Sequence, residues 1–122
     1  MAEGKKTVVL GASGNPARYS NLAVKKLRAH QHPVIAIGKK SGQVGDVEIV
    51  TDHMPVGAVD TITLYLNPMN QKEYYDYILE LRPNRIIFNP GTENDELIRR
   101  AKENGIEPVV GCTLVMLSTG MY

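Results

Sequence analysis

The stretch Thr7-Val8-Val9-Leu10-Gly11-Ala12-Ser13-Gly14-Asn15-Pro16 decides the fold. An apolar, β-branched run of four residues suits a strand buried on both faces. It runs into a turn of small and polar residues, and Pro16 then stands at a plausible first helical position, with Asn15 as its N-cap. Where a strand yields to a helix in this way, main-chain N–H groups and a helix N-terminus converge on one spot, a geometry that suits a phosphate.

Working outward, strand and helix patterns alternate along the chain. In 16–30, Tyr19, Leu22, Ala23 and Leu27 recur at helical spacing and predict an amphipathic helix laid on a sheet. Val34-Ile35-Ala36-Ile37 predicts a second strand that exits at Gly38-Lys39-Lys40-Ser41-Gly42. Val47 and Ile49 alternate with charged residues and allow a short edge strand, while 51–59, with Pro55 and Gly57, predicts at most one helical turn. The run 61–66 reads as a strand exiting at Asn67-Pro68, and 70–81 as a helix with Tyr74, Tyr77, Ile78 and Leu81 on one side. The run 85–88 is a strand exiting at Asn89-Pro90-Gly91. Thr92 can cap the next helix, with Asp95 three residues on. Pro108-Val109-Val110 begins a last strand, and Leu114 to Leu117 form an apolar tail.

This order predicts an α/β fold: a Rossmann-like, doubly wound, mostly parallel five-stranded sheet with helices on both faces. At 122 residues the expectation is a single domain over 1–122. Ligands of such sheets bind beyond the carboxyl ends of the strands, near the switch in strand order. The candidate binding residues are therefore Gly11, Ala12, Ser13, Gly14, Asn15 and Arg18 after the first strand, Lys39 and Lys40 after the second, Asn67 and Pro68 after the third, and Asn89 and Gly91 after the fourth.

Composition narrows the partners. A net charge of +1 with both signs spread along the chain does not favour nucleic acid or an acidic membrane surface. With no Trp and one Phe, an aromatic platform for nucleic-acid bases is not expected. The opening residues carry no apolar signal core, and no apolar run approaches the length of a membrane span, so a cytoplasmic protein is expected. The lone Cys112 has no intramolecular disulfide partner, which fits a reducing compartment. His30, His32 and His53 have no ligand spacing with other His, Cys or carboxylates, so no metal is expected, and no catalytic residues stand out.

The first turn departs from the dinucleotide fingerprint G-x-G-x-x-G, because Ser13 and Pro16 stand where glycines belong. The Ser13 hydroxyl can donate to a phosphate oxygen and Gly14 lets the main chain come close. An NAD site places an acidic residue about 20 residues beyond its glycines. Here the second strand exits into Lys39 and Lys40 instead, which suit an added phosphate on the ribose. Coenzyme A (CoA), with its 3′-phosphate, and NADP, with its 2′-phosphate, both fit.

The run Gly11-Ala12-Ser13-Gly14-Asn15-Pro16-Ala17-Arg18-Tyr19-Ser20 resembles the opening of the small CoA-binding protein family, itself similar to the N-terminal domain of the succinyl-CoA synthetase α subunit. Lys40, Pro68 and Cys112 match further marks of that family, whereas Gly38-Lys39-Lys40 differs from its usual Asn-Pro-Lys. The resemblance implies a Rossmann-like fold with the CoA phosphates at the first turn and the lysine near the nucleotide. The expected function is thus a CoA or acyl-CoA binding module without catalysis of its own. The alternatives are an NADP-binding or redox-sensing domain, a small CoA-thioester transferase or hydrolase using Cys112, and an interaction module using Leu114 to Leu117.

Overall fold

Apolar runs form the centre of the sheet, and alternation within each run assigns its two faces. The structure, a computed structural model, describes residues 4–122. Residues 1–3, part of the opening stretch read above for a signal core, lie outside the described residues. The strands are β1 (Thr7–Leu10), β2 (Val34–Ile37), β3 (Gly42–Val44), β4 (Val47–Val50), β5 (Thr61–Leu64), β6 (Arg85–Phe88) and β7 (Glu107–Val110). The helices are α1 (Tyr19–Ala29), α2 (Pro68–Gln71), α3 (Tyr75–Leu81), α4 (Asp95–Glu103) and α5 (Thr113–Thr119), with a 3₁₀ turn at Lys72–Tyr74. The strand order is β3-β4-β2-β1-β5-β6-β7. Every pair is parallel except β3 with β4.

Side chains alternate across the sheet. Val8, Leu10, Ile62, Leu64, Ile86 and Phe88 point to one face, where they pack with Tyr74, Tyr77 and Ile78 before and within α3 and with Leu97 and Ala101 of α4. Val9, Ala36 and Ile49 point to the other, against Val24 and Leu27 of α1 and Leu117 of α5. Helices thus cover both faces, and the fold is Rossmann-like. Among the described residues no helix is long and apolar enough to cross a membrane.

The sheet has seven strands rather than the expected five. The two additions form a hairpin over 42–50 with a tight turn at Gly45-Asp46. Its second strand, β4, is not an edge but pairs in parallel with β2, and the edge is β3. The apolar tail at Leu114 to Leu117 is part of α5, which buries Leu117 against the sheet. The expected helix over 70–81 is interrupted by the 3₁₀ turn. In α1 the buried side chains are Ser20, Asn21, Ala23, Val24 and Leu27, while Tyr19 and Leu22 face solvent. The helix is rotated from its expected face because the polar Ser20 and Asn21 are drawn in beneath the preceding turn, where Asn21 Nδ2 donates to the Ser13 carbonyl (2.9 Å).

The exits of β1, β2 and β5 are crowded together. Gly11 has φ +92°, and a Cβ on it would lie 2.9 Å from the Tyr65 carbonyl carbon. A Cβ on Gly38 would overlap the Ala12 carbonyl oxygen. Gly38→Ala therefore destabilises the protein by about 1–3 kcal/mol, the range for forcing one methyl into a packed interior. Urea unfolding measures it, and wild-type stability in the variant would show that the two exits have room to part.

Candidate functional site

The chain leaves β1 towards one edge of the sheet and later returns to β5 on β1's other side, so the β1–β5 gap is the topological switch point. Above it lies a cleft of about 980 Å³. Its lining includes Gly11, Ala12, Ser13, Gly14, Asn15 and Arg18 from the turn after β1, Lys39 and Lys40 after β2, Asn67 after β5 and Gly91 after β6. Ten of the twelve candidate residues thus meet in one place.

The turn after β1 is built by its own polar groups. Asn15 Oδ1 accepts from Ala17 N (2.9 Å), and Ser13 Oγ accepts from Asn15 N (3.1 Å). The Asn15 carbonyl accepts from Arg18 N (3.0 Å). Asn15 therefore caps this turn and not the helix; Pro16 lies within the turn, and α1 begins three residues later at Tyr19. Gly11 N and Ala12 N both donate to the Ile37 carbonyl (2.9 Å each). Among the described residues nothing accepts from the main-chain N–H groups of Ser13, Gly14, Tyr19 and Ser20, and all four residues line the cleft. These are the donors of a tight turn followed by an uncapped helix start, the arrangement that binds anions.

The charge of the cleft has one sign. Arg18, Lys39 and Lys40 are exposed, and among the described residues no carboxylate pairs with any of them. Among the described residues no Asp, Glu, His or Cys is part of the lining. The cations stand over β1 and β2, whereas Leu66, Asn67, Asn70, Gly91 and Thr92 make the β5–β6 side neutral. The donor set suits a phosphorylated group at the first two strands and an uncharged one beyond.

Asn89 and Pro68 do not line the cleft. Asn89 is buried beneath it. Its Nδ2 donates to Thr63 Oγ1 (2.7 Å) and to the Leu64 carbonyl (2.8 Å), and its Oδ1 accepts from Thr113 N (2.9 Å). Both amide hydrogens are thereby spent tying β6 to β5, so Asn89 acts as a clasp beneath the cleft. Pro68 is the first residue of α2, whose N-cap is Asn67, with Oδ1 accepting from Asn70 N (2.9 Å). Thr92 does not cap α4 either: its hydroxyl donates to the Asn89 carbonyl (2.7 Å), and Asn94 is the cap.

Several lining residues stand outside the twelve candidates, among them Tyr19, Ser20, Ser41, Tyr65 and Asn70. Tyr19 has the spacing of a core residue, and only the rotation of α1 turns it to the cleft. Burial pushes the Tyr65 phenol up to about 12, an effect the Thr113 and Thr63 hydroxyls partly offset. Those two hydroxyls bond each other (2.8 Å), and the Tyr65 hydroxyl has no partner among the described residues. Cys112, half-buried ahead of α5, stands outside the lining. Among the described residues, no three His, Cys, Asp or Glu side chains converge.

Fold and cleft together define a Rossmann-like domain with an open, cationic cleft at its switch point. Comparison with known proteins narrows the class. The chain belongs to the CoA binding domain family, whose profile matches residues 5–118. An uncharacterized protein of known crystal structure is 51% identical over 99% of this chain and 100% of its own, with a TM-score of 0.96. A Thermus thermophilus protein is 22% identical, covering 98% of this chain and 91% of its own, with a TM-score of 0.86. An acetyl-coenzyme A synthetase of Ca. Korarchaeum cryptofilum is 16% identical over 89% of this chain but only 26% of its own, with a TM-score of 0.74. The last two show likeness of fold alone. No curated protein matches the chain.

Replacing Asn89 with Ala removes three hydrogen bonds at once. The expected loss is about 2–4 kcal/mol of stability, at roughly 1 kcal/mol per bond plus the partners left buried and unpaired. Chemical denaturation reads it directly; a loss below about 1 kcal/mol would deny Asn89 the role of a clasp.

Proposed function

We propose that residues 1–122 form a single binding module for CoA or an acyl-CoA, with the cofactor's diphosphate at the turn between β1 and α1. The observation that carries this reading is the group of four main-chain N–H donors at Ser13, Gly14, Tyr19 and Ser20 that have no acceptor among the described residues. The helix start adds about 0.3–1 kcal/mol for an anion. Each charge-assisted hydrogen bond adds about 1.5–3 kcal/mol, so a few of them supply the roughly 8 kcal/mol that micromolar binding requires. Lys39 and Lys40 stand where a ribose phosphate would lie, and Arg18 is one turn from the diphosphate. Beyond the diphosphate, the pantetheine arm then runs over β5 and β6, where uncharged groups match its neutral amides.

The module works by holding the cofactor, not by transforming it. Among the described residues the lining holds hydroxyls and ammonium groups but no carboxylate, histidine or thiol, so its serines lack the base that usually activates them. The thioester chemistry considered for Cys112 draws no support from its place outside the cleft. A ligand of this kind and a lone cysteine both suit the cytoplasm.

Titration calorimetry with CoA, acetyl-CoA, dephospho-CoA and NADPH tests the reading. CoA binds, and dephospho-CoA binds about tenfold more weakly or worse, one lost charge-assisted hydrogen bond being worth about that factor. In the Lys39→Ala/Lys40→Ala variant the two ligands become equal. Equal binding by the wild type would remove the lysine–phosphate contact, and NADPH binding in preference to CoA would transfer the site to the rival cofactor.

A further inference from the structure

The β5–β6 ladder ends at the pair Leu64 and Phe88, and beyond it the two exit loops have no strand bonds to hold them. One side chain bridges them. Gln71, the last residue of α2, is completely buried. Its Nε2 donates to the Leu66 carbonyl of one loop (2.7 Å) and to the Thr92 carbonyl of the other (2.8 Å). Leu66 and Thr92 are both part of the cleft wall. The carboxamide is anchored from behind, where Gln71 Oε1 accepts from Asn94 Nδ2 (2.8 Å). That nitrogen also donates to the Tyr75 hydroxyl (2.8 Å), while Asn94 Oδ1 caps α4 through Glu96 N and Leu97 N. The carboxamide thus replaces the missing rung of the sheet and ties the wall to α4.

Filling this space does not require a carboxamide. An apolar side chain of the same length would fill it without the desolvation that a buried amide suffers. What the amide alone does is fix the distance between two main-chain segments of the cleft wall, on its neutral side. We infer that Gln71 is a positioning residue for the pantetheine arm, setting the width of the channel over β5 and β6 without touching the cofactor. The inference rests on the CoA reading of the cleft. On that reading the phosphates lie at the β1 and β2 exits, whereas both carbonyls that Gln71 holds belong to the β5 and β6 exits, so its effect is expected on the arm rather than on the nucleotide.

The test compares two ligands on one variant. Adenosine 3′-phosphate 5′-diphosphate keeps the phosphates and lacks the arm. In Gln71→Met, calorimetry shows CoA binding weakened about tenfold, as for a loss of about 1.4 kcal/mol. The arm-less ligand stays within about twofold of its wild-type affinity, a change well under that increment. Equal weakening of both ligands would make Gln71 a general structural residue and overturn the inference, and so would no weakening of either. Wild-type protein that binds neither ligand would sink the CoA reading itself, and the inference with it. A second measurement needs no variant. The Gln71 side-chain amide signals in the NMR spectrum of the wild type shift with CoA and stay in place with the arm-less ligand. Signals that stay in place with saturating CoA overturn the proposal even where Gln71→Met fails to fold.

Discussion

The architecture depends on a crowding of main chains at the carboxyl end of β1. Gly11 lies against the main chain of Tyr65, and Gly38 lies against that of Ala12. Two missing side chains let the exits of β5 and β2 close on either side of the first turn. The turn then has two of its own amides committed to the Ile37 carbonyl. Among the described residues nothing accepts from the next donors, Ser13 N and Gly14 N. In the proposed reading the binding surface arises here, from backbone whose bonding capacity the fold does not use.

Charge gives that surface a direction. Arg18, Lys39 and Lys40 gather over β1 and β2, unpaired among the described residues. The β5–β6 side is neutral and is held by buried amides: Asn89 clasps the strands below, and Gln71 bridges the loops above. A ligand charged at one end and amide-rich at the other matches this division, which accords with membership of the CoA binding domain family. The cationic half is exposed to solvent. The neutral half is fixed by hydrogen bonds that water cannot easily replace.

Five strands, β1, β2, β5, β6 and β7, are legible in the sequence because each is a short apolar run beside turn residues. Of the hairpin over 42–50, β4 shows in the alternation of Val47 and Ile49, but β3 does not, since Gly42-Gln43-Val44 offers one apolar side chain, and the pairing of β4 with β2 has no local mark. The rotation of α1 is equally hidden: Tyr19 and Leu22 have the same helical spacing as the buried Val24 and Leu27, and tertiary packing decides between them. Within the site, the turn after β1 and the lysines after β2 are legible from their place at strand exits. Asn89 has the same place and another role, because its partners Thr63 and Thr113 are distant in sequence. Gln71 gives no local signal at all, as a glutamine on a helix is ordinarily exposed.

The central claim is that unsatisfied main-chain amides form the anion cradle. Its most direct measurement is the amide spectrum of isotopically labelled protein during a CoA titration. The account predicts that the N–H signals of Ser13, Gly14, Tyr19 and Ser20 shift together and saturate with the calorimetric binding curve. Signals that stay in place at saturation, while others in the chain move, would contradict it.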